Sequence, residues 1–206
     1  MLGLALTIAL AIGPAQASSA SVTIDRIVAR VGDDIIQSLD VRQARLLRLF
    51  GPAVSTDADV LEHLITRRLE LTDVARYPAA EPTAGDLAAR RAAWDATLDV
   101  HDAPSVAALM KDAGMSDAAL TAWFRDDARI EEVERQRFTG TPPTHDEVVA
   151  YVRAHAAAFT PADGRPVDVE DPAVQAKARG EIAATRLAAG VAAWVDSLRK
   201  RAVIIR

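Results

Sequence analysis

Residues 191–206, VAAWVDSLRKRAVIIR, change their periodicity partway along, and this constrains the fold more than any other stretch of the chain. Val191, Trp194, Val195 and Leu198 recur at helical spacing, so the stretch opens as an amphipathic helix. Val203, Ile204 and Ile205 then form a β-branched run suited to a strand. A helix that ends in a short strand needs a strand partner elsewhere, and the convincing candidates lie near the N-terminus. The two ends are therefore expected to meet.

Val22 to Val31, the turn Gly32-Asp33-Asp34 and the pair Ile35-Ile36 read as a β-hairpin with a glycine-first turn. Val22 and Ile24 are out of phase with Ile27, Ala29 and Val31, which a bulge or a strand start near Asp25 would reconcile. Pairing the last strand with this hairpin closes a loop of about 170 residues, with a length-dependent entropic cost of roughly 4.5 kcal/mol plus a constant. Three buried aliphatic side chains at about 1.5–3 kcal/mol each would offset it.

Between the two ends the pattern is helical throughout. Ser38 is placed as the cap of a first helix running to Phe50, before Gly51-Pro52. Thr56 caps a second helix whose stripe is Val60, Leu61, Leu64, Ile65, Leu69 and Val74. Thr83 with Asp86 and Thr144 with Glu147 are capping boxes for later helices. Asp102-Ala103-Pro104 reads as a connector before a short helix, Ser105 to Ala113, that Gly114 stops. Ser116 caps a longer helix that Thr139 to Pro143 ends, and Asp171-Pro172 launches the last one. Alanine richness with only 4% aromatic residues favours close-packed helices over a thick sandwich.

Residues 1–17 carry no charge, with an apolar run from Leu2 to Ile12, a Gly13-Pro14 break and a small-x-small Ala15-Gln16-Ala17. This reads as a secretory signal peptide cleaved near Ala17, because the run is too short to span a bilayer. No Lys or Arg precedes the run, which leaves a start further upstream open. The expected product is a periplasmic domain over residues 18–206 with no membrane span. Without a single cysteine it has no disulfide, no thiol nucleophile and no lipid-anchor cysteine. A formal charge of −5 with interspersed signs argues against a nucleic-acid partner.

No residue set nominates an enzyme. His145, Asp146, Glu147 and His155 lack metal-ligand spacing and are better read as a helix start, so no metal and no cofactor are expected. There is no Gly-x-Ser-x-Gly elbow and no phosphate-binding glycine loop. Asp126-Asp127 and Glu131-Glu132 point about 100° apart on a helix, so each is read as a solvated face. What remains is a candidate peptide-binding set: Met110, Met115, Trp123, Phe124 and Phe138. Methionine and aromatic side chains suit an adaptable groove for varied peptides. Taken singly each is more simply a core residue, and an exposed contiguous apolar patch would favour binding.

Residues 24–40, IDRIVARVGDDIIQSLD, resemble the opening of SurA-type periplasmic chaperones and related parvulin-bearing proteins. Residues 61–71, LEHLITRRLEL, match that family's second-helix pattern, and Met115 to Arg137 resembles its later helices. The closing Ala193 to Ile204 resembles its C-terminal helix and strand, which pack back on the N-terminal module. The resemblance implies a mainly α fold: a helical SurA-like chaperone core with a small β-sheet pairing the N-terminal hairpin with the C-terminal strand. On this reading the helical module is 22–159, a linker 160–171 stands where a parvulin domain would insert, and 172–206 is the closing helix and strand. The isomerase's catalytic residues have no counterpart here. The resemblance thus implies an ATP-independent holder of unfolded or extended polypeptides, outer-membrane proteins among the candidate clients, without prolyl isomerase activity. A structural or assembly protein that binds one folded periplasmic partner is the alternative.

Overall fold

A computed structural model describes residues 25–78, 80–160 and 165–206. The expected signal peptide, Val22 and Ile24 lie outside the described residues. The chain is mainly helical with a three-stranded antiparallel sheet in the order β2-β1-β3. Strands β1 (Ile27–Val31) and β2 (Asp34–Gln37) form the hairpin, and β3 (Ile204–Ile205) pairs with β1.

Gly32 opens the hairpin turn with φ +60° while Asp33 keeps a negative φ, the type II′ pattern that suits the strand twist. The pairing of β1 with β2 is irregular between Ile27 and Ala29, leaving Ala29 and Val31 buried and Ile27 exposed. On the other side of β1, Arg30 faces Ile205 and Val31 faces Ile204, and the Gly32 amide donates to the Val203 carbonyl at 2.9 Å.

The strand carries less burial than its sequence promises. Ile204 is half-buried, but Val203 and Ile205 are 67% and 56% exposed. The hold of the C-terminus comes instead from helix α8 (Pro172–Arg201). There Trp194 and Leu198 are buried against α2 (Asp57–Val74), α5 (Asp117–Phe138) and the sheet. The Trp194 indole donates to the carboxylate of Asp73 at 2.9 Å, and both residues are buried.

Most caps stand where the sequence puts them: Thr56, Thr83, Ser116, Thr144 and Asp171 each accept a first-turn amide. Three boundaries differ. Helix α1 (Ser38–Leu46) is capped by Gln37, whose amide donates to Asp40. Ser38 instead donates to Asp25 at 2.7 Å and accepts from the Arg26 amide, tying the strand's start to the helix's start. The same helix stops four residues before Phe50, with Arg48 left-handed at φ 49°. Arg48 is held there by the Thr97 carbonyl at 2.8 Å and by an ion pair with Asp99. Helix α4 (Ala103–Ala113) starts two residues before Ser105, because Asp102 caps it and Pro104 fits its first turn.

Three apolar clusters result. The first joins the sheet, α1, α2, α5 and the C-terminal half of α8. The second joins α3 (Ala84–Asp95), α4 and the first half of α5 around Trp94, Leu120 and Phe124, with Leu49 and Trp123 bridging it to the first. The third packs α6 (His145–Ala154) and α7 (Ala156–Phe159) on the N-terminal half of α8 through Val148, Val152, Phe159, Ala178 and Ile182. Val167 and Val169, within the expected linker, pack against this third cluster. Helix α8, 30 residues and about 45 Å long, therefore belongs to two cores. Gly190 lies where it leaves one for the other: a Cβ there would sit 3.0–3.1 Å from the Phe138 side chain.

Candidate functional site

The stripe of α2 runs Val60, Leu64, Arg67, Leu71 and Val74, so an arginine occupies a core-facing position. Arg67 is 7% exposed, and its guanidinium carbon lies over the Trp123 ring, 3.8 Å from its centroid. Burial of a guanidinium requires partners. Arg67 donates to the Trp123 carbonyl at 3.0 Å and pairs with Asp127 at 3.0 Å and Asp126 at 3.7 Å. The reading of Asp126-Asp127 as a solvated face is thus corrected. Adjacent side chains diverge on their own helix, but one long arginine from the facing helix reaches both.

Around this contact is a cavity of about 300 Å³. Leu49, Leu64, Leu71, Met115 and Trp123 give it apolar walls, and Asp40, Gln43, Arg67, Arg68 and Asp126 give it polar ones. Two buried donors in this lining, Arg67 Nε and Trp123 Nε1, have no hydrogen-bond partner among the described residues. The arrangement suits an apolar group that brings an acceptor with it, as a peptide segment does.

Behind the cavity the acids of α2 and α5 are close to one another. Burial, reinforced by Glu134, pushes the Glu70 carboxyl up to about 7. Burial likewise raises Asp127 to about 6, against the pull of Arg67, and raises Glu134. Arg90 of α3 closes the cluster with two bonds to Glu131, at 2.8 and 2.5 Å.

The five candidate residues from the sequence do not form one surface. Met115 and Trp123 line the cavity. Met110 and Phe124 are buried in the second core, 6% and 7% exposed, Phe124 beside Trp94 and Met110 beside Arg91. Phe138 packs on Trp194, centroids 5.8 Å apart, at the seam of α5 and α8. Arg67 and Glu70 were missed, although an arginine on the stripe three residues after Leu64 and four before Leu71 was the available signal. His145 faces Glu170 at 3.4 Å and His155 stacks on Tyr151. Among the described residues no group of three or more His, Asp or Glu could hold a metal ion.

Exposed large aliphatic side chains concentrate elsewhere. Ile27, Ile35, Leu39, Val203 and Ile205 lie on the small sheet, its β3 lead-in or the first turn of α1. Ile35 and Ile205 flank Arg30 across the three strands, which puts the three side chains in one row on one face. Among the described residues no helix is long and apolar enough to cross a membrane. No family model, no curated protein and no solved structure matches the chain.

Proposed function

We propose that this chain is an exported, ATP-independent chaperone-like protein that binds unfolded polypeptides, outer-membrane proteins among them, without prolyl isomerase activity. The observation that carries the reading is the concentration of exposed aliphatic side chains on and around a sheet whose outer strands, β2 and β3, pair with no further strand among the described residues. Such a surface offers main-chain pairing and apolar contact together, and neither requires a particular client sequence. The cavity at Arg67 and Trp123 adds a recess for single side chains. The SurA-like framing of the sequence, a hairpin answered by a closing helix and strand with no isomerase domain between them, supports the same reading.

The test is dilution of a urea-unfolded outer-membrane β-barrel protein into buffer with and without the purified chain, followed by light scattering. Suppression of aggregation without ATP, and no acceleration of cis-trans exchange in a proline tetrapeptide, are the expected results. Undiminished aggregation, or efficient isomerisation, refutes the proposal. Recovery of one stoichiometric folded partner in place of a broad client set would favour an assembly role.

A further inference from the structure

A second groove, of about 690 Å³, lies between the start of β1, helix α1 and the first turns of α2. Val28, Val41 and Leu61 line it with aliphatic surface, and Arg26, Arg42, Arg45 and Arg206 bring four guanidinium groups against one carboxylate, Asp57. Two of the four are already answered: Arg45 pairs with Asp57 at 2.8 Å and Arg206 with Glu62. The other two are not. Arg42 donates only to the Asp112 carbonyl, at 3.2 Å, and Arg26 makes no side-chain pair with any described residue. Both are exposed.

The backbone beside these arginines is also unfinished. Among the described residues strand β3 pairs with Arg30 and Val31 alone, so Ile27 and Val28 face no strand on that side. Continuing the antiparallel register, a further segment in line with β3 would lie opposite Val28 and Ile27. Its side chains would alternate, one set toward the aliphatic lining and the other toward the rim.

We propose that this groove takes an extended polypeptide segment carrying acidic side chains, which adds to the free edge of β1 while its carboxylates meet Arg26 and Arg42. The proposal rests on the polypeptide-binding reading above and gives it a chemical preference: acidic, extended segments are held here and basic ones are not. Main-chain pairing supplies the affinity and the arginines the selection.

The probes are the acetylated, amidated hexapeptide EVEIEV and its counterpart KVKIKV, titrated into the full chain. Expected are saturable binding of EVEIEV that weakens with added salt, at least tenfold weaker binding of KVKIKV, and slowed exchange in the complex of the β1 amides before Ala29 that do not pair with β2. R26E/R42E, checked for an unchanged melting temperature, should weaken EVEIEV at least tenfold, whereas R26K/R42K should stay within about threefold. Equal affinity for the two peptides, unaltered binding by R26E/R42E, or unprotected β1 amides overturns the proposal. A preference confined to an uncapped EVEIEV assigns the groove to a chain terminus and also overturns it. The aggregation assay on the same preparation separates the two claims. Suppression without EVEIEV binding removes this groove and leaves the chaperone reading, and EVEIEV binding without suppression does the opposite.

Discussion

Replacing Trp194 by Phe tests what holds the C-terminal helix in place. The indole is 3% exposed, and its N–H reaches a carboxylate, Asp73, that is itself 7% exposed. A hydrogen bond to a charged buried acceptor contributes about 1.5–3 kcal/mol. Phenylalanine also leaves roughly 35 Å³ unfilled, which at about 24 cal/mol per Å³ is close to 1 kcal/mol. Arg137 at 3.4 Å and Arg76 at 3.7 Å still face Asp73 after the change, which keeps the loss toward the lower end. The expected cost is about 2.5 kcal/mol, or a melting temperature lower by roughly 5–10 °C in a chain of this size. Urea unfolding followed by far-ultraviolet circular dichroism measures it, since Trp94 and Trp123 would confound fluorescence. The partner change Asp73→Ala completes a double-mutant cycle, with an expected coupling of at least 1 kcal/mol. A cost below about 1 kcal/mol, or strictly additive single changes, would refute the view that this bond anchors the helix.

Deleting residues 203–206 should cost less, about 2 kcal/mol, because it removes one half-buried isoleucine and a few edge hydrogen bonds. A loss equal to that of Trp194→Phe in the same urea assay would show that the strand, and not the helix, is the anchor. Glu70 has a folded-state pKa raised to about 7 from its ordinary 4.5, so its contribution to stability is present below about 4.5 and is lost as pH rises through 7. Glu70→Gln should therefore stabilise the protein at pH 8, on the order of 2 kcal/mol after solvent screening, and leave it unchanged at pH 4. Equal effects at the two pH values in thermal melts would contradict the burial of this carboxyl.

Much of the fold is legible residue by residue. Thr56, Thr83, Ser116 and Thr144 announce their helices because a short polar side chain followed by first-turn acids has few other local solutions, and Asp171 does so through the proline that follows it. The end of α1 is illegible for the converse reason: its left-handed position is filled by Arg48, and what makes that tolerable is Thr97 and Asp99, about 50 residues away. Strand β3 is recognisable from its β-branched run, but not its exposure, since a two-residue edge strand has no second layer to bury its outer face. The site is the least legible part. Single-helix geometry separates Asp126 from Asp127 correctly and still misses Arg67, because the reach of a side chain from another helix is a property of the packing. Met110 and Phe124 carry the chemistry of a binding face, and their burial is decided by the packing of α3, α4 and α5 against one another.

The bond between Asp73 and Trp194 spans 121 positions of the chain. On a ribosome adding about 5–20 residues each second, the carboxylate of Asp73 is made roughly 6–24 s before the indole that will cover it. Throughout that interval the face of α2 that α8 will occupy, with Ile65, Leu69 and a bare charge on it, has no lid of its own. The nascent protein thus passes through a stage in which it presents an open apolar seat of the kind a holding factor recognises, and its last thirty-odd residues bring that stage to an end.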